Sequence, residues 1–115
     1  MAGGCGGQSS ELEVSGKLLH NGQPLEMSAD GAVIMIFYEL RNGQLGERSY
    51  VASVDNAGAY QVLLEPGQYR VAVQLMDPYA KQIDKFRGVF DQMKSPITVE
   101  TTEAQEDLTI DLKKS

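Results

Sequence analysis

The sequence predicts an all-β domain, a seven-stranded antiparallel sandwich with one short helix between strands five and six. Short runs alternate apolar and polar residues, as strands with one buried face do. Pairs such as Asn21-Gly22 and Asn42-Gly43, which suit tight hairpin turns, separate these runs. With 115 residues, 42% of them hydrophobic and 23% charged, the chain has the size and composition of one packed domain.

Three strands are predicted in the first half of the chain. Leu12 to Leu18 alternates between apolar and polar positions. Ala32 to Leu40 is apolar without alternation, which favours a central strand covered on both faces. Arg48 to Val54 follows the second Asn-Gly pair, and Asp55 to Gly58 has the composition of the next tight turn.

Four more strands are predicted in the second half. Tyr60 to Leu64 and Tyr69 to Leu75 both alternate, and Pro66-Gly67 between them predicts a hairpin. Ile97 to Thr101 and Asp107 to Leu112 have the pattern of two final strands.

The predicted helix lies between Asp77 and Ser95. Its apolar residues recur at steps of four, three, four and three, which places them on one helical face: Tyr79, Ile83, Phe86, Phe90 and Met93. Pro78 suits a first helical position, and we expect the apolar face to cover one end or edge of the sandwich.

The first ten residues differ from the rest of the chain. Residues 1–10 are rich in glycine and serine around Cys5, which predicts a flexible leader before a domain at 11–115. The run Ala2-Gly3-Gly4-Cys5 resembles the start of a mature bacterial lipoprotein. That resemblance implies that Cys5 carries the lipid and tethers the domain to a membrane. The alternative is an incidental exposed thiol.

Charge and residue usage exclude several classes of function. The net charge of −6 disfavours nucleic acid as a partner. A single cysteine rules out an intrachain disulfide and a multi-thiolate metal site. With His20 as its one histidine, the chain also lacks the imidazole pairs that transition metals and most nucleophilic sites use. We therefore expect no catalytic residue, no metal site and no cofactor.

Four motifs, in order along the chain, carry a family resemblance: Val14 to Lys17, Asn21 to Leu25, Asp55 to Tyr60 and Pro66 to Val73. Together they resemble carboxypeptidase regulatory-like domains, which are small sandwiches of transthyretin-like, or prealbumin-like, fold. The stretches 83–86 and 95–100 are similar to short planctomycete-type predicted lipoproteins. The resemblance implies two buried tyrosines after turns and a helix between strands five and six, but no defined biochemical role.

Two acidic groupings contain candidate ligands for a metal ion. Asp55 with Asn56 offers oxygens to calcium, as does a C-terminal set, but neither has the spacing of a ligand loop: Glu100, Glu103, Glu106, Asp107 and Asp111. We expect these residues to be solvated. A self-catalysed isopeptide from Lys17, Glu65 and Asp111 would need a buried trio, whereas Lys17 and Asp111 fall on outward strand positions.

The function that follows is a non-enzymatic lipoprotein module of the cell envelope, in the periplasm or on the outer surface, with a protein-interaction or structural role. We expect it to offer a sheet edge or a loop end to an unknown protein partner. The alternatives are a transthyretin-like hydrolase and a small-ligand or carbohydrate-binding domain. In the last case Tyr38, Tyr50 and Tyr79 would line the groove.

Overall fold

A computed structural model describes residues 11–25, 31–55, 57–76, 84, 86, 88–91 and 94–112. In this part of the chain the secondary structure consists of strands joined by turns. Its eight strand segments are β1 Leu12–His20, β2 Gln23–Pro24, β3 Ala32–Arg41, β4 Gln44–Val54, β5 Ala59–Leu64, β6 Gly67–Met76, β7 Thr98–Thr101 and β8 Ile110–Leu112.

The strands form one curled, mixed sheet in the order β2-β1-β5-β4-β3-β6-β7, with β8 beside β1. Two halves of this sheet meet where β4 and β5 pair, at Ser53↔Gln61 and Val54↔Tyr60. We call these two residue pairs the join. Because the sheet curls, the inward side chains of both halves face a common core.

The seven predicted strands are confirmed in position, and β2 is an additional two-residue strand that the sequence did not predict. The expectation of a central strand is also confirmed for β3, which pairs with β4 on one edge and β6 on the other. Met35 and Phe37 on β3 are fully buried, and Ile34 and Ile36 on its other face are half-buried.

Both Asn-Gly pairs form the tight turns expected of them. Asn21 and Gly22 have φ values of 54° and 81°, and Asn42 and Gly43 have values of 53° and 79°. Positive φ at both central residues is the signature of a type I′ turn, whose twist matches that of the flanking strands. The first turn joins β1 to β2 and the second joins β3 to β4.

The predicted hairpin at Pro66-Gly67 is wrong. β5 pairs with β1 and β4, whereas β6 pairs with β3 and β7, so the chain crosses here from one half of the sheet to the other. Gly67 has a φ of 158°, far from the roughly +80° that a type II turn requires. The Tyr69 hydroxyl donates a hydrogen bond to the Glu65 carbonyl and fixes this crossing.

The antiparallel sandwich is not supported either, because the sheet is continuous through the join and contains a parallel ladder. β8 runs parallel to β1, with Leu18 opposite Ile110, and the preceding chain follows the same edge from Gln105 onward. The Ser15 N–H donates to the Gln105 carbonyl at 2.9 Å. Alternation in the sequence indicates which side chains are buried, but it carries no information on strand direction.

The described part of the segment 77–95 does not support the predicted helix. Asp84 forms an isolated bridge with Met76, and its carboxylate accepts the N–H groups of Leu75, Phe86 and Gly88 at 2.9 to 3.1 Å. This carboxylate organises a turn instead. Phe86 and Phe90 are buried edge to face, 5.2 Å apart. Tyr79, Ile83 and Met93 of the predicted helical face lie outside the described residues.

Three aromatic rings lie at the centre of the core. The Phe37 ring is 6.2 Å from both Tyr60 and Tyr69, so it connects the two halves of the sheet. Both tyrosines are almost completely buried, as the resemblance implied. Burial raises the pKa of Tyr60, and burial, followed by the neighbouring Tyr50, raises the pKa of Tyr69 to about 12.

The closing segment of the chain depends on Gly16. The Tyr60 hydroxyl donates to the Leu108 carbonyl at 2.6 Å, and the Leu108 N–H donates to the Ser15 carbonyl at 3.0 Å. A Cβ atom on Gly16 would lie 1.9 Å from the Leu108 carbonyl oxygen. Only a residue without a side chain therefore lets this backbone approach β1.

The substitution Gly16→Ala is expected to destabilise the fold by about 3 kcal/mol, because the new methyl group must displace backbone rather than a flexible side chain. Urea unfolding followed by circular dichroism measures this change. Lys17→Ala, at an exposed position on the same strand, is the matched control and should change stability by less than about 0.5 kcal/mol. Equal stability of the two variants would contradict the close approach at Leu108.

The buried tyrosines predict a loss of stability at alkaline pH. A tyrosine with a folded-state pKa above its unfolded value, near 10, stabilises the fold fully below pH 10 and loses this contribution as the pH rises towards the folded value. We expect the free energy of unfolding to fall between about pH 10 and 12. The fall should be smaller in Tyr69→Phe, as measured by urea unfolding at each pH. An identical pH profile in this variant would contradict the assignment.

Candidate binding surface

Two large apolar side chains are exposed on the outer face of the sheet. Val51 on β4 is 70% exposed and Leu63 on β5 is 53% exposed, and these are the exposed large hydrophobic residues of the described chain. Each lies two residues from the join, where Ser53 pairs with Gln61. Side chains alternate along a strand, so all four point to the same face. We call Val51, Ser53, Gln61 and Leu63 the outer patch.

A polar row continues the outer patch onto β1. Ser15 pairs with Gln61, and Gln61 pairs with Ser53, so the three side chains lie side by side across three strands. Together with Asp55 and Tyr60 they line an open concavity of about 440 Å³. The Ser15 hydroxyl donates to the Glu106 carbonyl at 3.2 Å, so part of this row already serves the fold.

A cluster of charged and aromatic residues lies near the middle of β4. The Glu65 carboxylate accepts hydrogen bonds from Arg48 and from the Tyr50 hydroxyl, the latter at 3.1 Å. The Tyr50 ring meets Tyr69 edge to face at 5.8 Å. Burial, and then the bond to Glu65, raise the pKa of Tyr50. These contacts connect β4 to the crossing after β5, so the cluster has a structural role.

Two of the candidate calcium ligands, Asp55 and Asp111, accept hydrogen bonds from backbone groups. One Asp55 oxygen accepts the N–H groups of Ala57 and Ala59, both at 2.9 Å, and Asp111 accepts the Gly22 N–H at 3.0 Å. Asn56 lies outside the described residues. Within the described ranges, no cluster of three or more His, Cys, Asp or Glu residues is arranged to hold a metal ion.

Lys17, Glu65 and Asp111 do not form a trio. Asp111 pairs with Leu19 near the end of β1, whereas Glu65 follows Leu64, which pairs with Leu12 at the start of β1. The Glu65 carboxylate is bound by Arg48 and Tyr50 instead. An isopeptide between these side chains is therefore incompatible with the fold.

The remaining candidate residues are dispersed. Tyr50 points to the inner face of the sheet. Tyr38 lies on β3 opposite Ser49 of β4 and points to the outer face, so the two tyrosines do not share a groove. His20 packs against the Phe86 ring at 5.1 Å. Tyr79 and Cys5 lie outside the described residues. Across the described segments, no helix has the length and apolar character needed to cross a membrane.

Sequence reasoning missed the outer patch, although a signal was present. Val51 stands between Tyr50 and Ala52, and Leu63 stands between Val62 and Leu64. Ala52, Val62 and Leu64 are buried and Tyr50 is half-buried, so the middle residue of each run falls on the outward position. An apolar residue at an outward strand position is the pattern that would have indicated this surface.

No family model matches the chain, and no curated protein matches it. It is similar to the crystal structure of a DUF3823 family protein from Parabacteroides merdae ATCC 43184, with 17% identity and a TM-score of 0.51 over 93% of this chain and 48% of that one. A leucine-rich repeat protein from Bacteroides thetaiotaomicron VPI-5482 matches at 13% identity and a TM-score of 0.45, over 91% of this chain and 12% of its own. The chain thus spans about half the length of the first structure, with which it shares a β-rich fold.

Proposed function

We propose that this domain is a non-enzymatic protein-interaction module that binds a partner protein through the outer patch. The observation that supports this proposal is the exposure of Val51 and Leu63 on neighbouring strands of an ordered sheet. Burying a side chain of this size contributes about 1.5 to 3 kcal/mol, so covering both would favour association. Ser53 and Gln61 add hydrogen-bonding groups beside the apolar pair.

The polar chemistry of the described residues supports binding rather than catalysis. The carboxylates of Asp55, Asp84 and Glu65 each accept hydrogen bonds that hold a turn or a crossing in place. The His20 ring lies against Phe86. A hydrolase would need a nucleophile and a base that converge on one pocket, and the residues that the structure describes bring no such pair together.

The setting we propose is the cell envelope, with the domain tethered through a lipid on Cys5. The small residues before Cys5 and the Gly/Ser-rich run after it support this part of the proposal. Membership of the carboxypeptidase regulatory-like class, with its transthyretin-like fold, and likeness to planctomycete-type lipoproteins belong to the same proposal. The four sequence motifs support the first of these, and the stretches 83–86 and 95–100 support the second.

A second candidate function is the binding of a small polar ligand such as a saccharide. The concavity of about 440 Å³ lined by Ser15, Ser53 and Gln61 favours it. Hydroxyl and amide groups suit a sugar, but an exposed aromatic platform is missing among the residues that line this concavity. Nuclear magnetic resonance titration with a saccharide panel separates the two functions, since a sugar would shift Ser15 and Gln61 rather than Val51.

The outer patch predicts a position-specific contact with a protein. A photo-reactive amino acid at Ser53, introduced in cells that naturally make the protein, should give a discrete protein adduct that mass spectrometry identifies. We expect Val51→Lys with Leu63→Lys to reduce this adduct at least tenfold, because two buried charges oppose docking. Stability should change by less than about 1 kcal/mol.

The matched control carries the same two added charges elsewhere, as Thr98→Lys with Thr102→Lys, at exposed positions on and after β7. This control should keep the adduct at Ser53. Loss of the adduct in both double variants would show that net charge, and not the outer patch, governs the contact.

The lipid anchor predicts the distribution of the protein between cell fractions. Cys5→Ser should move the protein from the membrane fraction to the soluble fraction, because an acyl-bearing thioether can no longer form. Mass spectrometry of the protein purified from membranes should show the acyl mass on the peptide that contains Cys5. Unmodified Cys5 in membrane-associated protein would contradict the anchor.

A further inference from the structure

We infer that the open side of β4, from Gln44 to Ala52, pairs with an extended segment of a partner protein that is apolar in the middle and basic at its ends. This inference rests on the proposed function, because it specifies how a partner engages the outer patch. The partner segment would add one strand to the sheet beside Val51 and Leu63.

The two sides of β4 are paired to different extents. On one side it pairs with β3 from Ala52 to Gln44, with an irregularity near Tyr38. On the other side its ladder with β5 stops after the two pairs of the join. In the described part of the chain, Gln44 to Ala52 therefore has no strand partner on this side. At about 3.4 Å per residue, the open side is roughly 30 Å long.

The backbone groups of β4 point alternately to its two sides. The Asp55 N–H donates to the Ala59 carbonyl at 2.9 Å, so Asp55 directs its backbone towards β5. Alternate residues of a strand direct their N–H and C=O groups to the same side. Ser53, Val51 and Ser49 consequently point towards the open side, and Ser53 is already paired with Gln61. Ser49 and Val51 are left to pair with an added strand.

The other sheet edges are poor substitutes for β4. β7 has four residues, includes Glu100 and comes shortly after Pro96. β2 has two residues, one of which is Pro24, and β8, which pairs with β1 alone, has three. Short length, charge and proline are the features that protect an edge from pairing. β4 has eleven residues and no proline.

The side chains along the open side define the chemistry of the segment. Val51 and Leu63 form an apolar rim on the outer face, and Tyr50 is turned to the inner face by its bond to Glu65. A segment that lies beside them needs apolar side chains in its middle. Glu47 and Glu13 are exposed at either side of this rim. The Glu13 carboxylate also accepts a hydrogen bond from the Gln61 side-chain amide, and Arg48 is already paired with Glu65. Lysine or arginine at the ends of the segment complements these charges.

A second copy of the chain is a weaker occupant. Each copy carries a net charge of −6, and a copy would bring another Glu47 to the same edge. Like charges across a strand pair are unfavourable, and the net charge adds long-range repulsion. Charge complementarity therefore favours a basic-ended segment from a different protein.

The test uses the peptide Lys-Val-Thr-Val-Thr-Val-Lys with the full chain, followed by nuclear magnetic resonance. We expect amide hydrogen exchange at Ser49 and Val51 to slow at least tenfold when the peptide is added. A peptide methylated on alternate backbone nitrogens, which cannot pair as a strand, should give no such protection. The version with glutamate at both ends should bind at least tenfold more weakly.

Variants of the protein complete the test. Ser49→Pro removes one N–H on the open side without removing a bond to β3, and it should weaken binding of the lysine-ended peptide at least tenfold. If this variant does not fold, the comparison between the unmodified and the methylated peptide decides whether the peptide pairs as a strand.

Three results would overturn the inference: no change in exchange at Ser49 and Val51, equal protection by the methylated peptide, or the same protection on self-association without peptide. If the Val51 and Leu63 methyl signals shift while exchange is unchanged, pairing fails but the proposed function stands. If neither the methyl signals nor the amide exchange responds, while the adduct at Ser53 persists in cells, the proposed chemistry of the segment is wrong. The proposed role of the outer patch then still stands.

Discussion

Two residue pairs between β4 and β5 hold the sheet in one piece. Ser53↔Gln61 and Val54↔Tyr60 are the strand contacts between the half that contains β1 and the half that contains β3. A junction this small needs support from side chains. The Phe37 ring, which lies 6.2 Å from both Tyr60 and Tyr69, supplies that support across the core. The curl of the sheet, the burial of both tyrosines and the early end of the β4–β5 ladder all depend on this arrangement.

The polar residues of the described chain serve mainly to fix the backbone where it leaves the sheet. Asp55 organises the turn before β5, Asp84 the turn after β6, and the Tyr69 hydroxyl the crossing at Glu65. Each acceptor or donor is thereby used within the fold. The side chains that remain available to other molecules are mostly those of the outer patch, in which two aliphatic side chains lie beside Ser53 and Gln61. Such a surface suits recognition of another chain better than chemical transformation of a substrate.

Local features were predictable from the sequence and long-range pairing was not. Alternation located the strands, and Asn42-Gly43 specified its hairpin, because both signals act within a few residues. The prediction of a hairpin at Pro66-Gly67 was wrong because the direction that the chain takes after Glu65 depends on Tyr69 and the distant core. Nothing in the sequence around Gly16 indicated that Leu108 would approach it. The outer patch was not predicted because alternation indicates which face of a strand is buried, and Val51 and Leu63 stand at outward positions between apolar neighbours.

An open strand edge is usually a liability, since it templates pairing with other copies of the same chain. In the binding mode we propose, the same features limit that pairing and select a partner. The contacts of Glu65 with Arg48 and Tyr50 anchor the inner face of β4, so the edge stays ordered without a neighbour. Exposed Glu47 and the net charge of −6 disfavour a second copy. A segment with basic ends is attracted by Glu47 and by the net negative charge instead of being repelled. Its apolar side chains can pack against the apolar rim of Val51 and Leu63. Protection against self-association and recognition of a partner then arise from one distribution of charge.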